Sequence, residues 1–131
     1  IPVGKDDLRF TATYGEGLGR YMALNYINAG VLDANGDIES IRTLGGFVSY
    51  RHWWNEQWRS SVTLSGMQAD NDVALTGSGV NKDAYSGYIN LLYSPSKPLT
   101  FGVEYMYAKN SKENGDDGDL SRIMFSAKYV L

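Results

Sequence analysis

An all-β fold, an antiparallel transmembrane β-barrel, is predicted by three observations. Six segments alternate between apolar and polar residues with a period of two. Most of them run to about 11 residues, the length a tilted strand needs to cross a bilayer, whereas soluble strands average about 5–6. Short turns and long polar links follow one another in regular order. The composition agrees: 10 Tyr and 15 Gly against 3 Pro suit extended structure with aromatic rims. The mean hydropathy of −0.33 is no objection, because averaging over an alternating strand hides its lipid-facing half.

The first segment, Asp7 to Tyr14, sets Leu8, Phe10, Ala12 and Tyr14 against Arg9, Thr11 and Thr13. Thr43 to Trp54 sets Leu44, Gly46, Val48, Tyr50 and Trp54 against Gly45, Phe47, Ser49 and Arg51. His52 and Trp53 break the polarity there, so a bulge or an interface position is expected. Trp58 to Gln68 places Trp58, Ser60, Val62, Leu64 and Gly66 opposite Arg59, Ser61, Thr63 and Ser65. Asp83 to Tyr93 places Tyr85, Gly87, Ile89, Leu91 and Tyr93 opposite Ser86, Tyr88 and Asn90. Pro98 to Lys109 gives Leu99, Phe101, Val103, Tyr105 and Tyr107 against Thr100, Gly102, Glu104, Met106 and Ala108. Leu120 to Leu131 gives Ile123, Phe125, Ala127, Tyr129 and Leu131 against Arg122, Met124, Ser126, Lys128 and Val130.

Two links are short, Asn55-Glu56-Gln57 and Ser94-Pro95-Ser96-Lys97; three are long and polar, Gly15 to Arg42, Ala69 to Lys82 and Asn110 to Asp119. Outer-membrane barrels alternate periplasmic turns with external loops in this way, which puts the two short turns on the periplasmic side. The aromatics then form two membrane girdles. Trp54, Trp58, Tyr93, Tyr129 and Phe101 gather near the periplasmic ends, and Tyr14, Tyr85, Tyr105 and Tyr107 near the external ends.

Several function classes are excluded. No Cys is present, so neither disulfides nor thiolate metal sites form, and one His rules out a two-imidazole site. A net charge of −3 provides no basic surface for nucleic acid. Export to the outer membrane requires a signal peptide, so a chain starting at Ile1 is expected to be processed, trimmed or a fragment.

The ordered blocks Asp7-Leu8-Arg9-Phe10, Tyr14 to Tyr21, Gly45-Gly46-Phe47, Tyr50-Arg51-His52, Arg59-Ser60, Gly102 to Tyr105, Gly118 to Arg122 and Phe125 to Tyr129 span nearly the whole chain. With them the sequence resembles the DcaP-like outer-membrane porins, over the C-terminal part of the barrel. The resemblance implies about sixteen strands in the whole barrel, a homotrimer, and passive uptake of small anionic solutes of the dicarboxylate class. Barrel chains commonly end in an aromatic residue; here Leu131 stands last, with Tyr129 two places before it. All 131 residues are expected to form the C-terminal part of one barrel domain. Six strands enclose no aqueous pore. A further hairpin around Asp33-Ala34-Asn35-Gly36-Asp37 would bring the count to eight, giving a small barrel of structural or adhesive role. A soluble ligand-binding β-barrel, its apolar residues turned inward, is the other alternative.

The lumen-facing set is Arg9, Arg51, Arg59, Arg122 and Lys128, with Glu104 the clearest acid. Rows of guanidinium groups bind carboxylates bidentately and make pores anion-selective; the competing reading is ordinary solvated charge paired elsewhere in the barrel. Gly15-Glu16-Gly17-Leu18-Gly19 lacks the helix and the Lys-Ser/Thr pair of a phosphate loop, and is expected to be a flexible external loop. Asp33 to Asp37 and Asp116 to Asp119 miss the calcium-loop spacing and are read as solvated turns, with divalent bridging to lipopolysaccharide left open. His52 has no nucleophile placed beside it and is read as an interface residue. Glu104 has no second carboxylate on its face, so a hydrolase pair is unsupported. The expected product is a channel in the bacterial outer membrane, surrounded by lipid and lipopolysaccharide, with no catalytic, metal or cofactor site.

Overall fold

The computed structural model describes residues 1–23 and 25–131. The six predicted strands are present. They are β2 (Asp6–Glu16), β5 (Arg42–Trp53), β6 (Trp58–Asp70), β7 (Asn81–Ser96), β8 (Leu99–Lys112) and β9 (Asp117–Tyr129). Each pairs antiparallel with the next, and β1 (Pro2–Val3) folds back on the start of β2, giving one seven-stranded sheet in the order β1-β2-β5-β6-β7-β8-β9. The sheet is open, with β1 and β9 at its edges.

Period two along each strand and antiparallel register across them sort the side chains into two continuous faces. Leu8 lies opposite Tyr50, Tyr50 opposite Val62, and the row continues through Ile89 and Tyr105 to Ile123. One residue away, Arg9, Ser49, Thr63, Tyr88, Met106 and Arg122 form the corresponding row of the other face. A slip by one residue in any pairing would mix the two rows, and none occurs along the stretches that carry them. The first face is apolar and uncovered: Phe10 is 63% exposed and Phe125 82%. The second face is the concave one, since a single cleft of about 1030 Å³ takes side chains from all six long strands, Thr11, Phe47, Ser65, Ser86, Ala108 and Leu120 among them. Apolar residues outside and polar residues inside is the reverse of a soluble barrel.

The turns follow local chemistry. Asn55 Oδ1 accepts the amides of Gln57 and Trp58, both at 2.9 Å, and closes the β5–β6 turn. At the β7–β8 turn the register shifts between Tyr93 and Ser96, and Pro95, with no N–H to pair, sits in that irregularity.

Four expectations need correction. The β5–β6 register runs unbroken through His52 and Trp53, so the change of polarity there is not a bulge. The predicted Asn110–Asp119 loop is largely strand: Asn110 pairs with Gly118 and Ser111 with Asp117. Beyond the apolar band both faces meet water, so alternation disappears while the ladder continues. The hairpin around Asp33–Asp37 exists as β3 (Gly30–Leu32) and β4 (Ile38–Ser40), but its strands are three residues each and form a separate sheet. Three residues reach only about 10 Å, so the eight-strand count fails.

The fourth correction concerns Gly15–Gly19. Gly15 and Glu16 end β2, and Gly19 opens the short helix α1 (Gly19–Ala23), packed so tightly that a Cβ there would strike the Ile27 carbonyl. The link from Gly17 to Ile41 is a folded unit. Ile27 and Ile41 are buried with Ala69 of β6, Tyr26 and Met67 pack around them, and Asn81 Nδ2 donates to the Tyr26 carbonyl at 2.8 Å. Thr43, Met67 and Ala69 belong to the inner face, so the link lies over the concave side of the sheet. Against β3 of that link, α2 (Val73–Thr76) occupies the β6–β7 link, capped by Asp72 accepting the Ala74 amide at 2.9 Å.

Candidate functional site

The apolar run slides along the register as the sheet is crossed. On β2 it begins at Leu8 and climbs through Phe10 and Ala12 to Tyr14, with Asp6 below. On β9 the residue in Leu8's row is Ile123, and there it is the top of the run: Ser121 and Asp119 lie above it, Phe125, Ala127 and Tyr129 below. The slide is three rows, about 20 Å of strand, over five strand-to-strand steps, or about 24 Å. A level apolar band therefore requires strands inclined by about 40°, inside the range of about 35–45° for barrels of the outer membrane.

Allowing for that slant, the aromatics form two lines. Trp54, Trp58, Tyr93, Phe101 and Tyr129 border the band on the side of the two short turns. Tyr14, Tyr85 and Tyr107 border it on the other side, with Tyr105 one row inside them. Tyr85 and Tyr93 on β7 are eight residues apart, about 27 Å along the strand and about 20 Å along the normal to the band. Trp58 and Tyr93 stack with centroids 4.4 Å apart.

All six charged residues named from the sequence as lumen-facing lie on the inner face. The slant also sorts them by height. Arg9 adjoins Leu8, Arg51 adjoins Tyr50, Arg59 adjoins Trp58 and Lys128 adjoins Tyr129, all residues at the turn-side margin of the apolar run. These four cations stand at one level. Arg122, beside Ile123, stands at the opposite margin, and Glu104 lies between, receiving the Asn90 amide at 3.3 Å.

The four differ in their partners. Asp7, one row from Arg9 on the same face, takes Arg9 Nε at 2.8 Å and Arg51 Nη1 at 3.5 Å. Arg59 donates to Ser94 Oγ at 2.9 Å and lies over the Trp53 ring at 5.1 Å. Among the described residues no carboxylate lies within 4.0 Å of Arg59, Lys128 or Arg122. One acid for four bases leaves the level net positive. The rest of the inner wall is hydroxyl-rich and internally bonded: Ser49 with Thr63 at 2.7 Å, Ser65 with Ser86 at 2.6 Å, Ser94 with Thr100 at 2.9 Å.

Asp7 escaped the sequence reading although the signal was there, since Asp-Leu-Arg in a strand puts the carboxylate and the guanidinium on one face. His52 stands on the outer face at the turn-side margin, where Asp6 holds its Nδ1 at 2.8 Å and Trp54 meets it edge-on at 4.4 Å. Asp6 also accepts from Tyr50 Oη at 2.5 Å and from the Trp53 amide at 2.8 Å, so the cluster ties β2 to β5. Asp33 and Asn114 close turns with their own side chains. Asp33 Oδ1 accepts the amides of Asn35 and Asp37, both at 2.8 Å, and Asn114 Oδ1 accepts the Asp116 amide at 3.0 Å. Among the described residues no group of three or more acidic or imidazole side chains is placed to hold a metal ion.

Residues 5–131 match the family model of the DcaP outer membrane protein. The crystal structure of the outer membrane channel DcaP of Acinetobacter baumannii superposes on the fold with a TM-score of 0.84 at 24% sequence identity, covering 95% of this chain and 36% of that one. The chain thus spans about a third of the solved channel's length. No curated protein matches the sequence.

Proposed function

Because the chain belongs to the DcaP outer membrane protein family and lies in the bacterial outer membrane, we propose that it supplies six strands to the wall of a porin, a passive diffusion channel for small hydrophilic solutes. Anions of the dicarboxylate class are the favoured solutes. The observation that carries this is the level of Arg9, Arg51, Arg59 and Lys128 on the inner face, where Asp7 is the one close carboxylate among the described residues. Guanidinium and ammonium groups at one height in a narrow aqueous bore lower the barrier for carboxylates and raise it for cations. Nothing in this mechanism calls for bond chemistry or a cofactor.

Six crossing strands over 36% of the solved chain scale to about sixteen or seventeen, which supports the larger barrel. A homotrimer is the proposed assembly, as the family resemblance implies. On the outer face, a cleft of about 440 Å³ between Arg42, Lys82 and Glu113, just above Tyr14 and Leu44, stands where lipopolysaccharide headgroups would lie.

Reversal potential in a salt gradient, measured on the full-length channel in a planar bilayer, tests this reading. Anion selectivity is expected, and Arg59→Gln with Lys128→Gln should lower the anion-to-cation permeability ratio several-fold, since both cations lack a carboxylate partner here. A ratio unmoved by the double substitution would overturn the assignment of selectivity to this level.

A further inference from the structure

The inner face gathers four cations at its turn-side end and carries Arg122 near the other. At that other end the Gly17–Ile41 link closes over the sheet and leaves a cleft of about 1030 Å³. Tyr21, Met22 and Tyr26 face it from the link, and Phe47, Tyr88 and Leu120 from the sheet. The link comes close to the sheet at Gly45, where an added Cβ would meet the Met22 methyl. Tyr21 is 85% exposed although it sits on a folded link, an aromatic ring held out over a wet wall.

A cleft of this size and lining holds a drug-sized apolar body, with ring and thioether surfaces above and below it. Lys109, ion-paired with Asp117, and Asp119 also line it, and an inner-face cation stands beside it. Arg122 is the next inner-face residue after Leu120 on β9, about 7 Å along the strand. It shares a register row with Tyr88 and Met106, and its Nη2 meets Met106 Sδ at 3.6 Å. A cation with no carboxylate within 4.0 Å among the described residues thus stands one inner-face position from the aromatic cleft, while Arg9, Arg51, Arg59 and Lys128 lie at the far margin of the band.

We propose that this cleft is a capture site for small monocarboxylates with a flat apolar body, the ring between Met22, Tyr26, Phe47 and Tyr88 and the carboxylate on Arg122. The proposal rests on the channel reading and adds a solute class to it. A solute would dwell first at the aromatic cleft and then pass to the cationic level at the other end of the bore.

Benzoate and acetate are the probes, each added to the full-length channel in a planar bilayer, with the concentration that half-blocks the current as the readout. Benzoate should block at a concentration at least about tenfold below acetate. Arg122→Gln and Tyr88→Leu should each reduce that ratio several-fold, Tyr88→Leu keeping the bulk while removing the ring. Equal block by the two anions in the unmodified channel, or a benzoate preference that survives both substitutions, overturns the capture site and leaves the channel reading standing. No current in any bath removes the channel reading and the capture site together.

Discussion

The outer and inner faces of this sheet are made by the same six strands and answer to two different solvents. The outer face carries Phe10, Val48, Leu64, Ile89 and Phe125, large and exposed, with Gly46, Gly66 and Gly87 between them. The inner face carries Ser49, Thr63, Ser65 and Ser86, small and hydrogen-bonded to one another, with the charges confined to levels. In water alone the first arrangement would be an aggregation surface and the second an ordinary exterior. The difference teaches that burial by the protein's own atoms does not stabilise this fold. Among the described residues, Met106 is the one buried apolar side chain besides the few under the Gly17–Ile41 link, so the lipid must supply what a second layer of protein supplies elsewhere.

The sharpest break in this comparison comes from placing one charge on each face. Ile89→Arg, near mid-band on the outer face of β7, is expected to destabilise the full-length channel by about 2–4 kcal/mol in lipid. Ser126→Arg, exposed on the inner face of β9, should cost less than about 1 kcal/mol. Unfolding titrations in vesicles compare the two, and equal costs would mean that the faces are assigned the wrong way round.

The slant of the strands sharpens the same comparison. Ile89 and Ile123 share one register row, yet Ile123 is the last apolar residue of its run and Ile89 is central to its own. Ile123→Arg is therefore expected to cost only about 0–1 kcal/mol, the interfacial value, and a cost matching that of Ile89→Arg would mean upright strands.

The smallest effect lies outside the strands that form the band. Hydrogen bonds donated by the Asp37 and Asn35 backbone amides hold the Asp33 carboxyl below the usual carboxylate range. A carboxyl lowered in this way stabilises its turn above its unfolded titration point and loses that contribution as pH falls through the lower folded value. Hydrogen-exchange protection of the Asn35 and Asp37 amides, corrected for intrinsic rates, should hold from neutral pH to about pH 4 and decline below it. A decline already complete at pH 6 would assign the turn's stability to another group.

The long strands were legible because each crosses the band with one face apolar, which writes period two into the sequence. The charges of the inner face were legible for the same reason: once Leu8 is outside, Arg9 is inside. The extensions of β8 and β9 were not, because Asn110, Ser111, Asp117 and Gly118 face water on both sides and carry no alternation. Nor was the inward fold of the Gly17–Ile41 link. It depends on Ile27 and Ile41 meeting Ala69 across more than 25 residues of chain, and on the absence of a side chain at Gly19. Neither leaves a period to read. The height of each charge also had to wait for the register, since sequence gives the face of a strand residue but not how far its neighbour has slid.

The slide has a further consequence, for the bore. A strand upright in the wall takes up about 4.8 Å of circumference, and one leaning by about 40° takes up about 6.3 Å. The six strands of this chain thus cover about 38 Å of wall in place of about 29 Å, and every strand added to the ring widens it by the larger step. Reading three rows of offset between Leu8 and Ile123 is in that sense a measurement of circumference, made from the pairing of residues alone.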